Sequence, residues 1–173
     1  MNVYVVSDSP ETKQAELNLT LIDLSGKILI TKQANISVEP LKGKSYFSLP
    51  IAELLSGQDV KNVVLSAELK ANGKTISTNE YFFQPFKEMM FSRPEIKTEI
   101  TAGEKGFKIT LATDKVAKAV FLSGLSEEGR FVDNYFNLVP GKKTEIEFRA
   151  NSKMSADEFR KKLKVRSLVD AFL

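Results

Sequence analysis

Apolar residues fall at every second position along most of this chain, which predicts strands rather than helices. Leu17, Leu19 and Leu21 alternate with Asn18 and Thr20, and Ser25-Gly26 then reverses the chain into residues 27–31, a predicted hairpin. Val63, Leu65, Ala67 and Leu69 mark one face of a further strand. Asn72-Gly73 then supplies the two positive-φ residues of a type I′ turn, and residues 74–83 return. Residues 3–6 and 46–49 read as strands, and residues 50–55 as a short helical turn closed by Gly57, giving about seven strands before residue 85.

The alternation breaks over residues 84–94, where Pro85 and Pro94 remove backbone donors and restrict the residues before them. A domain junction is placed here, dividing the chain into 1–91 and 92–173. Its centre, FKEMMF, is too apolar for a flexible linker, so Met89, Met90 and Phe91 are expected to continue an edge strand or pack between domains. A second series of strands follows at residues 96–101, 107–112 and 116–122, then from Phe131 onward after Glu127-Glu128-Gly129. Phe107, Ile109 and Leu111 mark one apolar face, and Ile146 and Phe148 another. Ser155 with Glu158 three residues on forms a capping box for a helix over 156–163, with a closing strand expected at 165–169. The fold class is therefore all-β: two consecutive immunoglobulin-like antiparallel β-sandwiches, with a short helix near the C-terminus.

Composition narrows the chemistry. The 173 residues contain no histidine and no cysteine, which excludes Ser-His-Asp and Cys-His nucleophiles, histidine or thiolate metal sites and any disulfide framework. Net charge is +3, with the basic excess in the second half, notably RKKLKVR at 160–166. Without a nucleic-acid-binding fold motif, that run reads as a solvated helix face and nucleic acid is not expected as a partner. No apolar run reaches the roughly 18–20 residues of a membrane span. The chain opens almost directly on a strand, as a piece of a longer chain would, and Met1 reads as a start codon only.

The remaining candidates are weighed against architectural roles. Asp133 is one acidic residue, too few ligands for calcium. Asp133 and Asn134 are expected to bond local backbone, Tyr135 and Phe136 to enter the core, and Pro140-Gly141 to turn the chain. Glu127 and Glu128 are adjacent in a polar turn and expected to be solvated, unlike the separated carboxyls of a glycosidase. Tyr81 and Phe83 share a strand face and are the candidates for a sugar-stacking platform, with core filling the favoured role. The triplets at Asn18 and Asn35 fit the glycosylation sequon but sit in predicted strands.

The segment FVDNYFNLVPG at 131–141, followed by the alternating KTEIEF at 143–148, resembles the signature of the last β-sandwich domain of β-mannosidases of the β-galactosidase-like glycoside hydrolase family (family 2). The order VYVVSD, DLSGK, NEYFFQPFKEM is similar to the family's penultimate domain and its exit. The resemblance implies structural signature positions at Asp133, Asn134, Tyr135, Phe136, Leu138, Pro140 and Gly141. In that family the paired catalytic glutamates lie on a (β/α)₈ barrel, for which this chain has neither length nor pattern. The resemblance thus implies a non-catalytic C-terminal fragment with no catalytic, cofactor-binding or metal residues of its own. Its implied partners are the parent's barrel and N-terminal domains, with self-association as a further role, and its implied setting a periplasmic or secreted parent. A carbohydrate-binding or adhesin-like module is the alternative on the same fold.

Overall fold

The computed structural model describes residues 1–172, which form two compact units, Met1–Met90 and Phe91 onward. In the first, β2 (Lys13–Asp23), β3 (Ile28–Val38), β5 (Val63–Ala71) and β6 (Lys74–Phe82) make an antiparallel sheet in the order β3-β2-β5-β6. The separate pair β1 (Asn2–Ser7) and β4 (Lys42–Ser48) forms a second sheet, also antiparallel. The alternation in β2 has its expected result: Leu17, Leu19 and Leu21 are buried on one face and pack with Val63, Leu65, Leu54 and Leu55 in one cluster. Asn72 and Gly73 take φ of 51° and 73°, the left-handed pair that a two-residue hairpin requires.

Three local readings need correction in this unit. It has six strands among the described residues, not about seven, because β3 runs as one strand from Ile28 to Val38 along β2, with a single bulge between Ile28 and Ile30. The helix α1 (Ile51–Leu55) is closed first by Ser56, left-handed at φ 48°, whose amide donates to the Ala52 carbonyl and whose hydroxyl donates to the Glu53 carbonyl. Gly57 follows as a second left-handed residue. Met89, Met90 and Phe91 do not continue a strand: Pro85 opens a 3₁₀ turn at Phe86–Glu88, after which Met89 is buried and Met90 exposed. A residue with its φ fixed and no N–H starts such a turn more readily than it extends a ladder.

In the second unit, β7 (Ile96–Gly103), β8 (Gly106–Thr113), β10 (Gly129–Phe131) and β12 (Thr144–Ala150) form the sheet β10-β12-β8-β7. Facing it is the sheet β11-β9-β13, made of β9 (Ala117–Ser123), β11 (Phe136–Leu138) and β13 (Lys164–Arg166). The predicted faces meet there: Phe107, Ile109, Leu111, Ile146 and Phe148 share a core cluster with Val120, Leu122 and Leu138. The helix α2 (Ala156–Lys162) starts on the expected capping box, with Ser155 and Glu158 bonding each other's backbone amides. Its Phe159 is fully buried, its ring 4.4 Å from that of Phe107 and 5.0 Å from that of Phe148. The strand expected from Phe131 onward is instead two short strands in different sheets, joined by residues 132–135. The expected closing strand is likewise shorter, because Asp170 accepts from the Ser167 amide and turns Leu168–Ala171 into a 3₁₀ helix.

Gly106 shows how tightly this sheet closes. Its φ is +146°, and a Cβ there would lie 2.2 Å from the Phe148 carbonyl oxygen, so no side chain is accommodated without moving backbone. Phe159→Ala is expected to destabilise this unit by about 3–5 kcal/mol, as the loss of a buried aromatic ring does. Ile28→Thr, at an exposed position, should stay within about 0.5 kcal/mol. Urea denaturation of the two variants checks both values.

Candidate functional site

Residues 131–141 carry a linked set of side-chain-to-backbone hydrogen bonds built around gaps in a sheet. β11 meets β9 through Phe136 opposite Val120 and Leu138 opposite Ala117, so β9 spends one more residue than β11 over the same span. The extra length is a bulge at Ala119, which has a φ of 49°. The Asn137 carboxamide oxygen accepts from the Ala119 amide at 3.1 Å and satisfies the donor that the bulge takes out of the ladder.

Asn134 does more of the same work. Its Oδ1 accepts from the Leu122 amide at 2.7 Å and its Nδ2 donates to the Leu122 carbonyl at 2.9 Å. One side chain thereby supplies the donor and acceptor that a neighbouring strand residue would have offered, where the chain is not a strand. Only a carboxamide carries both groups in this fork geometry. Leu122 is buried, so its backbone groups have no recourse to water.

Held between these two anchors, Tyr135 adopts φ 63° while its amide donates to the Val120 carbonyl at 2.8 Å. This left-handed backbone, unusual for a bulky residue, turns the ring outward. Tyr135 is 66% exposed and stacks on Phe121 at 4.9 Å with the rings 18° apart, so the expectation that it enters the core is corrected. Phe136 packs against the core, as expected. Asp133 Oδ1 accepts from the Asn134 amide, and Pro140-Gly141 makes a turn with Gly141 at φ 80° and the Lys142 amide donating to the Val139 carbonyl.

The other candidates lie apart from this segment's anchors. Glu128 is not freely solvated: it is paired with Lys162 of α2, whose ammonium holds the Glu128 carboxyl below its usual range while Lys162 itself is raised. Glu127 is exposed. A carboxyl held ionised in this way is unsuited to donate a proton near neutrality. Arg160 of the basic run pairs with Asp157 at 3.0 Å. In the first unit, Tyr81 is exposed and Phe83 half-buried, with ring centroids 5.2 Å apart and planes at 90°. Perpendicular rings do not present one flat face to a pyranose. Among the described residues no three acidic side chains converge on a cation site.

Asn134→Ala is expected to cost about 2–4 kcal/mol, because it strands both backbone groups of a buried residue. Asn134→Asp should also destabilise, since it keeps the acceptor for the Leu122 amide but sets an oxygen against the Leu122 carbonyl. Tyr135→Gly relieves the left-handed strain while losing only the Phe121 stack, so its net change should stay within about 1 kcal/mol. Chemical denaturation of the three variants checks this ordering.

Comparison with known proteins agrees with the resemblance seen in residues 131–148. Residues 1–88 match the family described as the mannosidase Ig/CBM-like domain, and residues 91–171 match a mannosidase Ig-fold domain. Beta-mannosidase A of Neosartorya fischeri is 30% identical over 98% of this chain, and beta-mannosidase of Mus musculus 27% identical over 98%. The chain spans only 20% of the length of each. The crystal structure of beta-D-mannosidase from Dictyoglomus thermophilum superposes with a TM-score of 0.84 at 21% identity, covering 96% of this chain and 20% of that one. An exo-chitosanase from Amycolatopsis orientalis shares the fold at a TM-score of 0.65 and 15% identity, over 96% of this chain and 24% of its own. The chain belongs to the mannosidase Ig/CBM-like domain family and corresponds to the immunoglobulin-like region of β-mannosidase-type glycoside hydrolases.

Proposed function

We propose that this chain is the non-catalytic C-terminal region of a β-mannosidase, residues 1–91 forming its penultimate domain and 92–173 its last. The parent would hydrolyse terminal non-reducing β-D-mannosides with retention on a barrel outside these residues. The two sandwiches pack on that barrel and stabilise it, or mediate assembly. One observation carries the reading: nearly the whole chain aligns with one fifth of β-mannosidase sequences, and the polar groups of its signature segment are taken up by its own backbone. Retaining hydrolysis needs two carboxyls about 5–5.5 Å apart across a cleft, one nucleophilic and one able to give up a proton. The adjacent Glu127 and Glu128 offer no such pair, with Glu128 committed to Lys162. The residues of the family-like segment thus serve architecture: Asp133, Asn134, Phe136, Leu138, Pro140 and Gly141 shape the chain, and Tyr135 is set on the surface.

Apolar groups left on the surface fit a role in packing. Val132 and Tyr135 in the second unit and Tyr4 and Val6 in the first are more than half exposed, where a neighbouring domain of the same polypeptide would gain by covering them. The purified chain is expected to show no turnover of an aryl β-mannoside. Removing it from the parent should lower the parent's thermal midpoint by several degrees, as expected for lost interdomain burial of a few kcal/mol. Turnover by the isolated chain, or an unchanged midpoint in the truncated parent, would overturn the reading.

A carbohydrate-binding module is the second reading, favoured by the Ig/CBM-like family of residues 1–88 and by Tyr81 exposed at the mouth of a groove. Under it, mannobiose would shift the NMR resonances of Tyr81 and its neighbours. Under the accessory-domain reading those resonances stay in place.

A further inference from the structure

Among the described residues, the first unit leaves part of one sheet face uncovered. Its four-stranded sheet presents an inner face whose cross-strand rows run Leu21, Leu65, Tyr81, then Leu19, Ala67, Asn79, then Leu17, Leu69, Ser77. A sandwich buries such a face under a second sheet about 10 Å away. The second sheet here has two strands, and the cover fails over the β6 end of each row. Ser77, Asn79 and Tyr81 point inward yet are exposed, and Ala67 and Leu69 are only half-buried. The second unit provides an internal standard, since its four-stranded sheet is covered by three strands, β11, β9 and β13.

The uncovered region is a groove of about 550 Å³. Residues 1–6 form one wall, the β6 residues form the other, and no residue of β4 lines it. The groove therefore runs beside one edge of β1, and among the described residues β1 pairs only with β4 on its opposite edge. An open strand edge above an apolar floor is a template for one more strand.

We propose that this groove accepts an additional β-strand, an extended segment of about six residues with apolar side chains at alternate positions, which pairs with the free edge of β1 and covers Ala67 and Leu69. Its length follows from β1 itself, Asn2–Ser7. The strand comes from elsewhere in the same polypeptide. The relatives are five times as long as this chain, which covers 20% of them, so a long stretch of chain is available in cis at high effective concentration. A second copy would bring its strand only at the cost of association, and a sugar would leave the β1 backbone groups to water. The source of the strand, though not the groove, rests on the accessory-region reading above.

Amide hydrogen exchange across β1 tests this, measured by mass spectrometry in the 173-residue chain and in the complete polypeptide of its gene. In the complete polypeptide, the β1 amides that face away from β4 should exchange about tenfold slower or more, as edge amides do when they gain a ladder. Ala67→Asp, which puts a charge under the added strand, should return them to fast exchange, while Thr31→Asp on an exposed position should not. Ala67→Asp in the 173-residue chain should retain a cooperative thermal transition, which separates a blocked groove from a failed fold. Equal exchange in the two proteins would overturn the proposal. So would protection in the 173-residue chain that depends on its concentration, which marks a second copy, or protection gained only on adding mannobiose. Hydrolysis of an aryl β-mannoside by the complete polypeptide reports on the accessory-region reading separately. Activity with fast β1 exchange removes the strand alone, and slow exchange without activity removes the enzyme reading alone.

Discussion

A β-sheet with one apolar face is stable in water only when that face is covered, and each unit of this chain is organised by how it meets that need. In the second unit the cover is complete: three strands lie over four, and Phe159 of α2 fills the space between the Phe107 and Phe148 rings. Each of these rings buries on the order of 150–250 Å², so the aromatic cluster supplies a large share of that unit's apolar burial. In the first unit β1, β4 and α1 cover the β2 side of the inner face, where Leu19, Leu21, Leu54 and Val63 are buried. The β6 side stays open.

Covering a sheet with short strands creates a second problem, because strand ends and bulges release backbone groups that a core cannot hydrate. The signature segment solves it with side chains. Asn134 stands in for a ladder residue opposite Leu122, and Asn137 serves the bulged Ala119. Both amides let the chain pass from β10 in one sheet to β11 in the other within residues 132–135. The motif that most resembles the family is thus a device for crossing between sheets. Its polar side chains are spent on backbone groups of the same unit.

This division of labour is consistent with the chemistry absent from the sequence. A chain without histidine or cysteine has only carboxylates, lysines, tyrosines and hydroxyls for catalysis. In the second unit Glu128 is paired with Lys162, and Asp133 is turned onto the next residue's amide. Surface salt bridges of this kind add little stability. The Lys162 pair joins α2 to the 127–129 turn, while the buried Phe159 ring, packed on Phe107 and Phe148, fixes the helix over the core.

Alternation of apolar and polar residues determined the all-β class, the faces of β2, β5, β8 and β12, and the break near residue 85. Dipeptides and caps with local geometry were equally legible: Asn72-Gly73 for the hairpin, Ser155 with Glu158 for the helix start, Pro140-Gly141 for the turn. These features are set by steric and hydrogen-bonding rules acting within a few residues, so the sequence alone specified them. Tertiary structure decided the rest. The full length of β3 depends on its register with β2. The partner of Asn134 is Leu122, twelve residues away, and that of Glu128 is Lys162, thirty-four away. The outward turn of Tyr135 follows from anchors on both sides of it. Such features arise when two distant segments are brought into one register, and a pattern of period two fixes which face a residue occupies but not which residue of another strand it will meet.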